Sequence, residues 1–237
     1  MKTTISNLTA VLILVAGVTP VRAQEAGTIT VEHYRSLRSP LQIKIDGVLD
    51  EAAWSEAMPI PLAFEWFPGD QVEPPVETEA FVTYDDDNFY IAFKAYDPEP
   101  AAIRAHLMDR DSINTFVQDD HVTFMLDTFN DERRAFQFRV NPLGVQADAI
   151  FSQVEFVEDW SWDVIWDSVG KITDFGYVVE VAVPLNQLRF PRTDGEQTWG
   201  IEFGRSYPRA VRHRISANRR DRNNICILCQ IDKVTGF

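Results

Sequence analysis

The sequence predicts an all-β protein, an antiparallel β-sandwich of the jelly-roll or immunoglobulin-like type with one or two short helices. Three observations lead to this fold class. Short segments alternate apolar and polar residues with period two, as in VTYDDDNFYIAFKAYD (82–97) and HVTFMLDTFNDERRAFQFRV (121–140). Gly, Pro, Asn and Asp separate these segments at turns. Long helical patterns do not alternate with the strands, which disfavours a parallel sheet.

The elements follow one another in a simple order. LQIKID (41–46) is a strand, and EAAWSEA (51–57) is a short helix with one large apolar residue, Trp54. Two hairpins follow, over 77–97 and 121–144. Further strands are predicted in four segments: VQADAIF (145–151), WDVIWDSVGKI (162–172), GYVVEVAVPL (176–185) and TWGIEFGRSY (198–207). PLNQLRF (184–190) fits a single helical turn between the last two strands.

The chain divides into four predicted regions. Residues 1–23 have a lysine, an apolar run and a small residue at Ala23, which is the pattern of a signal peptide. The apolar run is too short for the roughly 20 residues of a membrane span. Residues 24–40 form a lead-in, 41–205 the sandwich, and 206–237 a basic tail that connects to a missing C-terminal region. The protein is therefore expected to be exported, to the periplasm, the outer membrane or the cell surface.

The charge is unevenly distributed along the chain. The whole chain has a formal net charge of −14, but residues 205–237 contain eight basic and two acidic residues. An acidic body disfavours nucleic acid as a partner. The basic tail either meets phosphate or anionic lipid, or forms a solvated strand pair whose arginines lie against the acidic body.

The two cysteines, Cys226 and Cys229, stand in CILC. Export favours a disulfide, and free or partner-facing thiols are the alternative. Two sulfurs do not make a four-cysteine zinc site.

EDWSWDVIWD (158–167) concentrates three of the six tryptophans in ten residues. In a strand, Trp160, Trp162 and Trp166 would share one face. Trp166 is predicted in the core, whereas Trp160 and Trp162 either close the core or form an exposed aromatic surface for a flat ligand.

The sequence carries only weak patterns for metal binding and for catalysis. Asp127, Asn130 and Asp131 offer hard oxygen ligands around a hairpin turn, so a structural calcium ion is one reading and a plain turn the other. Acids are abundant, but no motif singles out a catalytic pair of carboxylates. The chain also lacks GxSxG and HExxH. Catalysis by this chain is not expected.

A polar row is predicted on the strand FQFRVN (136–141). Gln137, Arg139 and Asn141 project to one face of the sheet. Planar amide and guanidinium groups suit sugar hydroxyls, which makes Arg139 and Asn141 candidates for carbohydrate binding. The alternative for Arg139 is an ion pair with one of the many acids.

The chain resembles carbohydrate-binding module family 9, and in particular the exported N-terminal domain of large outer-membrane proteins of unknown function. Seven ordered motifs carry the resemblance: IKIDGVLDEAAW (43–54), VTYDDDNFYIAFKAYD (82–97), QDDHVTFMLDTFND (118–131), FQFRVNPLG (136–144), WSWDVIWD (160–167), GYVVEVAVPLNQLRF (176–190) and TWGIEF (198–203).

The resemblance implies a jelly-roll sandwich that usually carries calcium, accompanies xylanase-like glycosyl hydrolases and binds sugar ends without catalysis. It implies two clamping tryptophans and an arginine, which Arg139 matches. The first clamp position falls at Phe116 and Val117 here, and residues 205–237 contain no tryptophan for the second. Phe116, Trp160 and Trp162 are the candidate replacements.

The expected function is therefore an exported, non-catalytic module that binds a xylan- or cellulose-like saccharide in carbohydrate catabolism. The alternative is a structural or docking domain of an outer-membrane barrel protein that has lost sugar binding. A C-terminal outer-membrane barrel is the second expected partner.

Overall fold

A computed structural model describes residues 31–237 as a sandwich of two β-sheets, which confirms the predicted fold class. The predicted signal peptide, residues 1–23, lies outside the described residues. The strands of the larger, nine-stranded sheet are β1 (His33–Arg35), β4 (Phe64–Phe67), β7 (His121–Asp127), β8 (Arg134–Val140), β9 (Gln146–Ser152), β10 (Val157–Asp159), β13 (Thr198–Pro208), β14 (Arg212–Ser216) and β15 (Asp232–Thr235).

The smaller sheet has six strands: β2 (Leu37–Arg38), β3 (Ile60–Pro61), β5 (Thr78–Tyr84), β6 (Asn88–Tyr96), β11 (Asp167–Ile172) and β12 (Gly176–Pro184). Its order is β11-β12-β6-β5-β2, with β3 also beside β5. Two short helices, α1 (Ala52–Glu56) and α2 (Ile113–Phe116), lie in the connections. Neither these helices nor the 3-10 turns within residues 31–237 are long and apolar enough to cross a bilayer.

The order of the larger sheet decides which residues meet on its surface. The strands run β1-β15-β13-β7-β8-β9-β10, and β14 pairs with the second half of β13 and with β4. The described pairings are antiparallel, apart from the short parallel pairs β1–β15 and β2–β5. The strands β4 and β14, which are distant in sequence, therefore lie next to each other, with β13 between them and the central strands β7 and β8.

Aromatic residues fill the space between the two sheets. Phe124 and Phe138 stack with ring centroids 4.7 Å apart, and Trp166 meets Phe138 edge-on at 5.2 Å. Phe203 of the larger sheet meets Phe93 of the smaller one at 5.8 Å. Because side chains alternate along a strand, the inward positions of Phe124 and Phe138 direct their neighbours to the outer surface.

Residues on both sides of the predicted sandwich, 41–205, also join its two sheets. Residues 206–237 are not a separate connector, because β14 and β15 both pair with β13 inside the larger sheet. Within the predicted lead-in 24–40, β1 pairs with β15 and β2 pairs with β5, so this segment joins both sheets. Backbone hydrogen bonding to distant strands, which local patterns do not reveal, explains both extensions of the sandwich.

The segment before β15 covers one half of the outer surface of the larger sheet. Leu228 and Ile231 pack on Met125, Ala135 and Phe151 in a small apolar cluster. In the same segment a disulfide joins Cys226 and Cys229, whose Cα atoms lie 5.4 Å apart. The other half of this surface remains open.

Candidate functional site

The open half of the outer surface carries polar side chains that the strand register brings together. His121 and Arg214 are both paired with Ser206, and Arg139 is paired with Thr123, two residues beyond His121. Directly paired residues of antiparallel strands point to the same side of a sheet. We call this surface the arginine face and define it by six residues: Trp66, His121, Arg139, Trp160, Arg212 and Arg214.

Arg139 is held by an acid and an aromatic ring. Its Nη2 donates to Glu158 Oε1 at 2.7 Å, and its guanidinium carbon lies 4.7 Å from the ring centroid of Trp160. Gln137 Nε2 donates to the same Glu158 oxygen at 2.9 Å. Burial lowers the pKa of Arg139, although the negative charge of Glu158 opposes this. The arginine therefore makes the predicted ion pair and also keeps 14% of its side chain exposed on the surface.

His121 is the neutral group at the centre of the face. Burial lowers its pKa to about 3, and the positive charges of Arg139, Arg212 and Arg214 act in the same direction. Its Nδ1 lies 3.1 Å from the carbonyl oxygen of Asp119. A carbonyl can only accept, so Nδ1 carries the proton and Nε2 is left as an acceptor.

Trp66 is a site residue that the sequence reasoning missed. It lies half-buried on β4, and its ring centroid is 5.2 Å from the guanidinium carbon of Arg214 and 4.6 Å from that of Arg220. The resemblance places the second clamping tryptophan late in the chain, where none occurs. A tryptophan from an early strand reaches this surface, because β4 pairs with β14. The aromatic run FEWF was the available signal.

Phe116 does not replace the first clamping tryptophan. Its side chain is fully buried in α2, where its ring meets that of His121 edge-on at 5.6 Å. A ring without exposed surface cannot stack on a ligand, so the prediction for Phe116 is wrong. The residue supports the arginine face from below.

Asn141 is also buried, and its hydrogen-bonding groups are occupied. Its Nδ2 donates to the carbonyl of His106 and to Asp119 Oδ2, at 2.9 and 3.1 Å. Its Oδ1 accepts from the backbone N–H groups of Leu143 and Val145, both at 3.0 Å. The amide stabilises the turn after β8, so the prediction that it contacts a sugar is corrected.

The tryptophan-rich segment is not a strand between Asp159, where β10 ends, and Asp167, where β11 begins. Side chains, rather than a neighbouring strand, bind its backbone: Val164 N–H donates to Asp148 Oδ2 at 3.0 Å, and Arg110 Nη2 donates to the Val164 carbonyl at 2.6 Å. Trp166 is buried in the core, as predicted. The expected common face of the tryptophans is lost with the strand.

Trp160 and Trp162 lie on opposite sides of the larger sheet. Trp160 contacts Arg139 on the outside, whereas Trp162 packs on the inward residues Phe136 and Phe138, at 4.9 and 6.0 Å between ring centroids. They cannot form one aromatic surface. Trp162 instead lines a cavity of about 610 Å³ with Thr128, Phe129, Phe136, Ile150 and Arg189 among its neighbours.

The predicted calcium ligands form a turn that satisfies its own polar groups. Asp127 accepts from the N–H groups of Glu132 and Asp131, at 2.7 and 3.4 Å. Lys233 Nζ donates to Asn130 Oδ1 at 2.6 Å. A calcium ion at this oxygen would have to displace the ammonium group, so the residues do not fit the ion in this arrangement. The binding of a structural calcium ion by this protein stays a prediction.

A second group of acids already surrounds a positive charge. The carboxylates of Asp111, Asp148 and Asp163 have oxygens within 4.8 Å of one another. Arg110 contacts all three, at 3.5 Å for Asp111 and 3.1 Å for Asp163. Its guanidinium takes the place that a cation would need.

The comparisons with known proteins identify the family. Residues 45–205 match the model of the carbohydrate family 9 binding domain-like family, so the chain belongs to this family. The recognition made from the sequence motifs is confirmed. Comparison with curated proteins gives no match.

Solved structures of low sequence identity share the fold. A family 9 carbohydrate-binding module from Caldicellulosiruptor kristjanssonii, in complex with cellotriose, has a TM-score of 0.63 at 16% identity, covering 87% of this chain and 95% of that one. The same kind of module from this organism in complex with glucose has a TM-score of 0.60 at 17% sequence identity, covering 86% of this chain and 95% of that one. A Bacteroides uniformis protein has a TM-score of 0.65 at 12% sequence identity, covering 88% of this chain and 100% of that one.

Proposed function

We propose that the protein is a non-catalytic carbohydrate-binding module that holds an oligosaccharide on the arginine face. One observation carries the proposal: Trp160 lies against Arg139, which is hydrogen-bonded to the half-exposed Glu158. An aromatic ring accepts the apolar face of a sugar, and the adjacent arginine and carboxylate can bind its hydroxyl groups. Nε2 of His121 adds an acceptor.

The family and its solved members support a saccharide as the ligand. The similar module from C. kristjanssonii was solved with cellotriose and with glucose. Extended to this chain, these ligands suggest a cellulose-like polymer, and the resemblance to modules of xylanase-like enzymes adds xylan. Export, a location in the periplasm or at the outer membrane, a C-terminal barrel as partner and action beside glycosyl hydrolases in polysaccharide breakdown belong to the same proposal.

The second candidate function is a docking domain that has lost sugar binding. It is favoured by the interior positions of Phe116 and Asn141, which remove two of the five predicted sugar contacts. A docking domain would keep the sandwich without a functional arginine face. Sugar titration separates the two candidates.

The test uses two tryptophans on opposite sides of one sheet. Calorimetric titration with cello- and xylo-oligosaccharides should give binding that Trp160→Ala weakens by about 2 kcal/mol, roughly thirtyfold, since a stacking aromatic is a hot spot. Trp162→Ala should lower the melting temperature, because it removes packing on Phe136 and Phe138, and change affinity less than about twofold.

Two results would count against the proposal. If folded wild-type protein gives no heat of binding with any of these oligosaccharides, the result would favour the docking domain. An affinity lost in Trp162→Ala and kept in Trp160→Ala would move the site to the 610 Å³ cavity.

A further inference from the structure

The arginine face is positively charged on a protein whose net charge is negative. Three arginines point outward there, and Glu158 is an acid beside them that pairs with Arg139. Arg212 and Arg214 make no ion pair with any carboxylate among residues 31–237. By contrast, Arg205, Arg209 and Arg220 of the same C-terminal region each lie near an acid. The formal charge of the whole chain is −14, so this local excess of positive charge is unusual in its setting.

Arg214 is held in place by rings rather than by an acid. Its guanidinium carbon lies 5.2 Å from the ring centroid of Trp66 and 5.8 Å from that of Phe67. A guanidinium in cation–π contact keeps its edge, which carries the N–H donors, available for other partners. Within the described residues, these donors make no hydrogen bond. A planar acceptor at this edge would bind in the bidentate manner typical of carboxylates.

Arg212 supplies the second observation. Its Nε is buried and has no hydrogen-bond partner within the described chain. A buried donor without a partner costs free energy, and an acceptor from a ligand would remove that cost. Arg212 precedes Arg214 by two residues on β14, so both side chains point to the same surface. Burial and the charge of Arg212 both lower the pKa of Arg214, as expected for positive groups crowded together.

The spacing of the charged groups calls for an extended ligand. Arg139 and Arg214 lie on β8 and β14, which are separated by β7 and β13. Three strand spacings amount to about 14 Å between their backbones. Trp160 stands at one end of this distance and Trp66 at the other. A single sugar ring cannot occupy both ends.

We propose that the arginine face selects an acidic oligosaccharide, one that carries uronic-acid carboxylates, with a ring stacked near Trp160 and a carboxylate bound by Arg212 and Arg214. This inference rests on the proposed carbohydrate binding and specifies its ligand class. The carboxylate neutralises part of the positive charge of Arg212 and Arg214, and the sugar ring that bears it lies near Trp66. Neutral cello- and xylo-oligosaccharides would use only the end at Trp160.

The test compares two ligands of equal length on the full chain. A xylo-oligosaccharide substituted with glucuronic acid should bind at least about tenfold more tightly than the unsubstituted one, because charge-assisted hydrogen bonds are added. The preference should weaken between 50 and 500 mM NaCl, since exposed charges are screened. Arg214→Gln and, separately, Arg212→Gln should bring the ratio of the two affinities close to one. Arg192→Gln, at an exposed arginine away from the face, should leave the ratio unchanged.

Each other outcome has a definite meaning. Equal affinities for the acidic and the neutral ligand overturn the acidic-sugar inference and leave the carbohydrate-binding function standing. Absence of binding to both, in protein that melts cooperatively, overturns both. Equal binding of a sulfated oligosaccharide of the same length overturns the assignment of a carboxylate, because the face would then select negative charge alone.

Discussion

Arg139→Ala is expected to lower oligosaccharide affinity by about 2–3 kcal/mol, roughly 30- to 150-fold, because hydrogen bonds from a charged group are lost. The substitution also removes the guanidinium beside Trp160 and leaves Glu158 with Gln137 as its described partner. A titration of the folded variant measures the effect. Arg139→Lys should recover only part of the affinity, because an ammonium lacks the planar fork of donors.

Arg134→Ala is the matched control. Arg134 is exposed on the same strand, but it lies an odd number of residues from Arg139, so its side chain points to the opposite face of the sheet. The control variant should bind as the wild type does. Wild-type affinity in folded Arg139→Ala would remove the arginine from the site.

Phe138→Ala is expected to destabilise the fold by about 3–5 kcal/mol, the usual effect of emptying a large aromatic site in a core. Phe138 is fully buried, stacks on Phe124 at 4.7 Å and meets Trp166 at 5.2 Å. Few neighbours can move into the space, because rigid rings surround it. Chemical denaturation of both proteins measures the difference.

An exposed phenylalanine provides the comparison. Phe129→Ala should change stability by less than about 0.5 kcal/mol, since the residue is already 53% exposed to solvent. A loss below about 1 kcal/mol in Phe138→Ala would contradict the packing between the two sheets. Phe138 is next to Arg139 in the chain but points inward, so the variant should still bind sugar at temperatures where it remains folded.

The sequence was sufficient where local patterns decide the structure. Period-two alternation correctly predicted hairpins over β5–β6 and β7–β8, because inward and outward positions follow directly from the pleat. It also placed Arg139 on the outer surface, next to the inward Phe138. Helix-start signals, rather than alternation, predicted the short helix, in which Trp54 is buried.

The sequence failed where distant segments or side chains bind the backbone. Trp66 reaches the arginine face only because β4 pairs with β14, nearly 150 residues away. Trp160 and Trp162 separate because Asp148 and Arg110 hold the backbone at Val164. Asn141 follows the outward row of β8, but its amide is drawn into the turn after the strand. None of these contacts leaves a periodic signal.

The central claim is that a saccharide binds on the arginine face, and indole N–H signals in a ¹⁵N-labelled sample test it most directly. The six tryptophans give six reporters distributed over both surfaces and the core. On addition of a glucuronic-acid-substituted xylo-oligosaccharide, the signals of Trp66 and Trp160 should shift, while those of Trp162 and Trp199 stay in place. Shifts confined to Trp162, or no shift at saturating ligand, would contradict the account.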